Sequence, residues 1–99
     1  MSKPKVDNGF RLVDYYNKSK FYFIVTDKDI MNFFEFENTS ELDDTRATLN
    51  LVCRLLSKLM GLGYPMQDAI GQCEASQITQ SEKTIPAMVA RVMRKYMEG

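Results

Sequence analysis

Strand-like segments followed by helix-like ones, with no alternation between the two kinds, predict an α+β domain. The expected layout is a three-stranded antiparallel meander followed by three helices packed on one face of it. Three observations carry this. Residues 10–37 are rich in Phe, Tyr, Ile and Val and are broken by two turn-like clusters. Residues 43–73 place leucines at three- and four-residue steps before a glycine stop. A final apolar-periodic segment opens on Thr84 with Pro86 just inside it.

The spacing predicts strands over Phe10–Tyr16, Phe21–Thr26 and Met31–Glu37, with turns at Asn17–Ser19 and Asp27–Asp29. In the second strand Phe21, Phe23 and Val25 share one face and Tyr22, Ile24 and Thr26 the other. The third sets Phe34 and Phe36 against Phe33, Glu35 and Glu37. Thr39 or Ser40 is a suitable cap for a helix from Asp44 to Met60, and Glu41, Asp43 and Asp44 suit the positive end of its dipole. Leu49, Val52, Leu56 and Leu59, thickened by Leu51 and Leu55, form its inward face, while Arg46, Asn50, Arg54 and Lys58 follow one another at four-residue steps on another. Gly61 and Gly63 supply left-handed conformations that end the helix, and Pro65 opens the next with φ already set. That helix, Pro65 to Glu74, turns Met66, Ala69, Ile70 and Cys73 inward. Residues 75–83 read as a polar loop. Thr84 then caps a last helix whose apolar side is Met88, Val89, Val92, Met93, Tyr96 and Met97.

The chain has 99 residues, enough for one small core and too few for a second. Residues 1–9 are expected to be a flexible N-terminal segment and residues 10–99 a single domain. No apolar stretch approaches the length of a membrane helix and the start of the chain is short and polar, so the expected compartment is the cytoplasm. Thirteen Lys and Arg balance thirteen Asp and Glu. A net charge of zero argues against sequence-blind binding to a nucleic acid duplex, where several phosphates must be neutralised together. The charge is nonetheless uneven: residues 1–43 hold six cations against eight anions, and residues 44–99 seven against five. An anion site therefore belongs to the helical half.

With no histidine, the commonest general base and metal ligand are both missing. Asp27 with Asp29, and Asp43 with Asp44, have complete explanations as turn and cap residues. Ser57 has no nearby base, and Cys53 has Arg54 beside it but no acid–base partner. Cys53 and Cys73 stand apart with no CxxC, which predicts buried, reduced, structural thiols. No catalytic residue, metal or cofactor is therefore expected. The basic stripe is the better lead. Arg46, Arg54 and Lys58 on the long helix, with Asn50 among them, facing Arg91, Arg94 or Lys95 of the last, would hold a phosphate by paired guanidinium hydrogen bonds, with Phe36 as the stacking aromatic and Tyr15, Tyr16 and Phe33 as further candidates. The alternative is that the stripe is only the solvated face of two amphipathic helices. The many aromatic and methionine side chains also predict a homo-oligomer.

From Phe10 onward the order of elements resembles the TSCPD domain, found at the C-terminus of adenosylcobalamin-dependent ribonucleotide reductases and as free-standing small proteins. The residues that carry the likeness are Phe34-Glu35-Phe36, for a Phe-Glu-Val-Phe-like segment, and Arg54-Leu55-Leu56-Ser57, for an Arg-Leu-Ile-Ser-like helix core. Gly63-Tyr64-Pro65 stands for a Gly-Val-Pro-like break. The chain departs from the pattern where residues 37–44 replace a Gly-Lys-rich turn, and where Thr84-Ile85-Pro86 replaces a Cys-Pro-like motif. A role for that thiol is not carried over. Free-standing domains of this type are similar to phage anti-Thoeris sponges, which sequester signalling nucleotides. The resemblance thus implies a non-enzymatic binder of a cyclic nucleotide or cyclic ADP-ribose type ligand in the host cytoplasm. Its alternative implication is a regulatory, protein-interaction domain of the ribonucleotide reductase type.

Overall fold

The computed structural model describes residues 5–6, 9–16, 18–33, 43–76 and 83–99. Four strands, β1 (Lys5–Val6), β2 (Gly9–Tyr16), β3 (Ser19–Thr26) and β4 (Asp29–Phe33), precede three helices, α1 (Asp43–Gly61), α2 (Met66–Ala75) and α3 (Ile85–Glu98). The strands pair antiparallel in chain order, so β2, β3 and β4 are the expected meander. The addition is β1, two residues paired with Phe10 and Gly9, within the segment expected to be flexible. Gly9 is pressed against β3: a Cβ there would lie 2.8 Å from the Val25 carbonyl oxygen.

Tyr16 pairs with Ser19, leaving a two-residue turn in which Lys18 takes φ 67°, a left-handed conformation usually left to Gly or Asn. Thr26 pairs with Asp29, so the second turn is one residue tighter than expected and β4 starts two residues earlier. Residues 34–37, expected to extend this strand, lie outside the described residues, as do the proposed caps Thr39 and Ser40.

In-register pairing places Leu12, Phe23 and Asn32 on one face with Asp14, Phe21, Val25 and Ile30. That face is buried against the helices. From α1 come Leu49, Cys53, Leu56 and Met60, and from α2 the four residues the periodicity selects, Met66, Ala69, Ile70 and Cys73. From α3 come Met88, Val89, Val92 and Met93, while Tyr96 is half-buried and Met97 exposed. One correction concerns α1. Leu51 and Leu55, expected to thicken its buried face, are 56% and 60% exposed, and Val52 and Leu59 are only half-buried. Apolar residues occupy more than one side of this helix, and the core covers one of them.

The helix ends follow from their residues. Gly63 adopts φ 105°, the Gly63 N–H donates to the Met60 carbonyl at 3.0 Å and the Tyr64 N–H to that of Leu59 at 3.4 Å, which is a Schellman stop. Gly61, expected to share this role, is instead the last residue of α1. Pro65 is the extended N-cap of α2, and Thr84 caps α3 by accepting from the Ala87 N–H at 3.2 Å.

Candidate functional site

The position of α1 is set by the edge of β4. An edge strand presents unpaired N–H and C=O groups that must find partners. Ser57 supplies both: its Oγ accepts from the Ile30 N–H at 3.0 Å and donates to the Ile30 carbonyl at 2.9 Å. One turn earlier the Cys53 sulfur receives the Asn32 N–H. These two contacts hold the helix along the strand.

On the outer side of this junction lies an open cleft of about 930 Å³. Its helical wall includes Asn50, Arg54, Lys58 and Gly61, and its strand wall runs from Asp29 to Asn32. Met31, Leu51, Leu55 and Leu62 give it an apolar lining. Four-residue steps on a helix bring Asn50, Arg54 and Lys58 to one flank, and the edge of β4 makes that flank the side of a groove. A smaller cavity of about 540 Å³ beside α2 is lined by Asp68 and by no cation.

Arg91 and Arg94 do not join this group, and no residue of α3 lines the cleft. The shared groove expected between the long and last helices does not form, because α3 turns its cations to other elements. The Arg91 guanidinium donates to both carboxylate oxygens of Asp14, at 3.2 and 3.3 Å, and to the Tyr15 carbonyl. The Lys95 ammonium reaches Asp14 at 3.0 Å and the Val13 carbonyl at 3.0 Å. Arg94 pairs with Glu74 of α2 at 2.6 Å, in the open, where such pairs contribute little. Arg54 and Lys58 form no ion pair among the described residues. Phe36 and the side chain of Phe33 lie outside the described residues; Tyr15 is exposed on the sheet face away from the helices, and Tyr16 packs edge-on against Phe21 in the core.

The strand wall was not legible in advance. Asn32 interrupts an apolar run, which was the one available signal; its Nδ2 donates to the Tyr22 carbonyl at 3.0 Å while its buried Oδ1 has no partner. Ser57, weighed above as a nucleophile, has its hydroxyl committed to the Ile30 backbone. Burial, and next the proximity of Cys73, push the Cys53 thiol up to about 12, so it stays protonated at neutral pH. Among the described residues no three His, Cys, Asp or Glu gather as a metal requires, and no helix is long and apolar enough to cross a membrane.

A family model described as the TSCPD domain matches residues 3–97 of the 99-residue chain. The chain belongs to the TSCPD domain family. No curated protein and no solved structure matches it significantly.

Proposed function

We propose that this TSCPD-domain protein is a non-enzymatic binder that holds a small phosphate-bearing ligand, of the cyclic nucleotide or cyclic ADP-ribose type, in the cleft between α1 and β4. The observation that carries the reading is the contrast between two sets of cations. Those of α3 are neutralised by Asp14 and Glu74, whereas Arg54 and Lys58 line a cleft without a carboxylate partner among the described residues. Guanidinium hydrogen bonds to phosphate are charge-assisted and directional, so Arg54 is the principal contact, with Lys58 at the rim and the Asn50 amide beside it. Met31, on the strand wall, offers apolar surface to the rest of the ligand. No activated nucleophile adjoins these groups: the Cys53 thiol is protonated and the Ser57 hydroxyl is engaged. Such a protein acts by sequestration, withdrawing its ligand by mass action, and the setting suggested by the resemblance is a phage countering a nucleotide signal in the host cytoplasm.

Titration calorimetry against cyclic dinucleotides, cyclic trinucleotides and cyclic ADP-ribose derivatives tests this. Saturable heat is expected with one class. Arg54→Ala should weaken it roughly 10- to 100-fold, the range for losing a hydrogen bond to a charged group. Its melting temperature should stay at the wild-type value, since Arg54 is exposed and makes no hydrogen bond or ion pair among the described residues. Absence of heat across the panel at high micromolar protein would end the proposal. The second reading, a docking domain for a larger protein, is favoured by one observation: Leu51, Leu55 and Leu62 are each more than half exposed beside the cleft.

A further inference from the structure

We infer that two copies of this chain pair through their α1 helices, antiparallel, about a two-fold axis passing by Leu51. This pairing does not rest on the ligand reading. An α-helix advances about 100° per residue, so Leu51, Leu55, Lys58 and Leu62, at steps of four, three and four, fall within about 60° of one another. This stripe lies opposite the buried Leu49, Cys53, Leu56 and Met60. Leu51, Leu55 and Leu62 are 56%, 60% and 69% exposed, and Asp44, Ala47 and Lys58, on the same side, are also exposed. A helix that buries one apolar face and presents a second at coiled-coil spacing has a surface shaped for another helix.

The order of residues along the stripe identifies that helix as a second α1. Asp44 stands seven residues before Leu51 and Lys58 seven after it, so antiparallel pairing about Leu51 sets each Asp44 against Lys58 of the other copy, twice. Ala47 stands four before and Leu55 four after, so each Leu55 faces the small Ala47. The two Leu51 side chains meet at the axis. A parallel pairing in register would instead oppose Asp44 to Asp44 and Lys58 to Lys58. Charge and size are therefore complementary to the same surface under the two-fold operation, the requirement of an isologous interface. Because a two-fold axis perpendicular to the helix pair keeps each flank on its own side, Asn50 and Arg54 of both copies lie along one side of the seam, and their two clefts open side by side. With Lys58 paired across the seam, Arg54 is the cation left to each cleft.

Sedimentation velocity from 10 to 500 μM reads this out. Wild type should approach twice its 11.4 kDa mass as concentration rises. Leu51→Glu, which opposes two carboxylates at the axis and replaces a side chain more than half exposed, should stay at the monomer mass with an unchanged circular-dichroism melt. Asp44→Lys and Lys58→Asp should each raise the dissociation constant at least tenfold, and the double variant should return it to within about threefold of wild type. A wild-type monomer throughout would overturn the pairing and leave the stripe to a different protein. A dimer that survives Leu51→Glu, or single charge reversals not repaired by the double, would overturn this interface.

Discussion

Asp14 is a carboxylate placed on the core face of β2, directly opposite Phe21, and its side chain is 9% exposed. Burial by itself raises its pKa; hydrogen bonds from Arg91, from the Tyr15 backbone and from Lys95, with the charge of Lys95, outweigh that and hold it below the usual carboxylate value. A folded-state pKa lowered in this way stabilises the fold above the unfolded pKa of about 4, and the contribution is lost as pH falls through the folded value. Asp14→Asn removes the charge that two cations share. Because Arg91 and Lys95 remain partly solvated, the cost should be about 2 kcal/mol at pH 7, below that of a fully buried pair. Urea unfolding at pH 7 and pH 3 checks this: the gap between wild type and variant should narrow at the lower pH, and a constant gap would mean that packing, not charge, is what was lost. The faces of β2 were not assigned from the sequence, so the entry of Asp14 into the core was not anticipated. Its partner was not visible, because Arg91 lies 77 residues further on and nothing local links the two.

At the scale of elements, what local chemistry decides was readable and what packing decides was not. The Thr84 cap, the Gly63 stop and the inward residues of α2 each depend on a few neighbouring side chains, and all three were assigned from them. The misplacement of Leu51 and Leu55 has a different origin, since periodicity finds apolar faces on a helix without saying which one meets the core. Contact with β4 makes that choice, and Ser57 fixes it by serving the Ile30 N–H and C=O together. Ser57→Ala leaves both backbone groups facing a methyl group at a half-buried edge, where the loss should be about 1–3 kcal/mol. Hydrogen exchange distinguishes this from a general loosening: the Ile30 amide should accelerate at least tenfold more than the amides of the β2–β3 ladder, which speed up only by the factor set by the lost global stability. Equal acceleration at all sites would show that Ser57 contributes only to overall stability.

Over the whole molecule, the candidate site was legible where one helix carries it and illegible where two must cooperate. Asn50, Arg54 and Lys58 share a flank because helical geometry dictates it, whereas the directions of Arg91 and Arg94 are set by Asp14 and Glu74 on other elements. The two thiols belong to this scale as well, since the core that forms between α1 and α2 buries both. Burial, then the nearness of Cys73, pushes Cys53 up to about 12; burial, then Glu74, pushes Cys73 to about 11. An unfolded thiol ionises near 9, so the folded state has the higher pKa in both cases. Their contribution is complete below pH 9 and disappears as pH climbs from there toward 11–12. Denaturant unfolding should therefore show wild type losing about 2 kcal/mol between pH 8 and pH 10, beyond any loss in a Cys53→Ala/Cys73→Ala variant compared over the same range. Disulfide-exchange labelling gives an independent reading of the same burial. At pH 8 the native protein should react over hours, and two thiols per chain should react within seconds in 6 M guanidinium. Rapid stoichiometric labelling of the native chain would mean that the α1–α2 layer opens readily, and the alkaline loss of stability should then vanish with it.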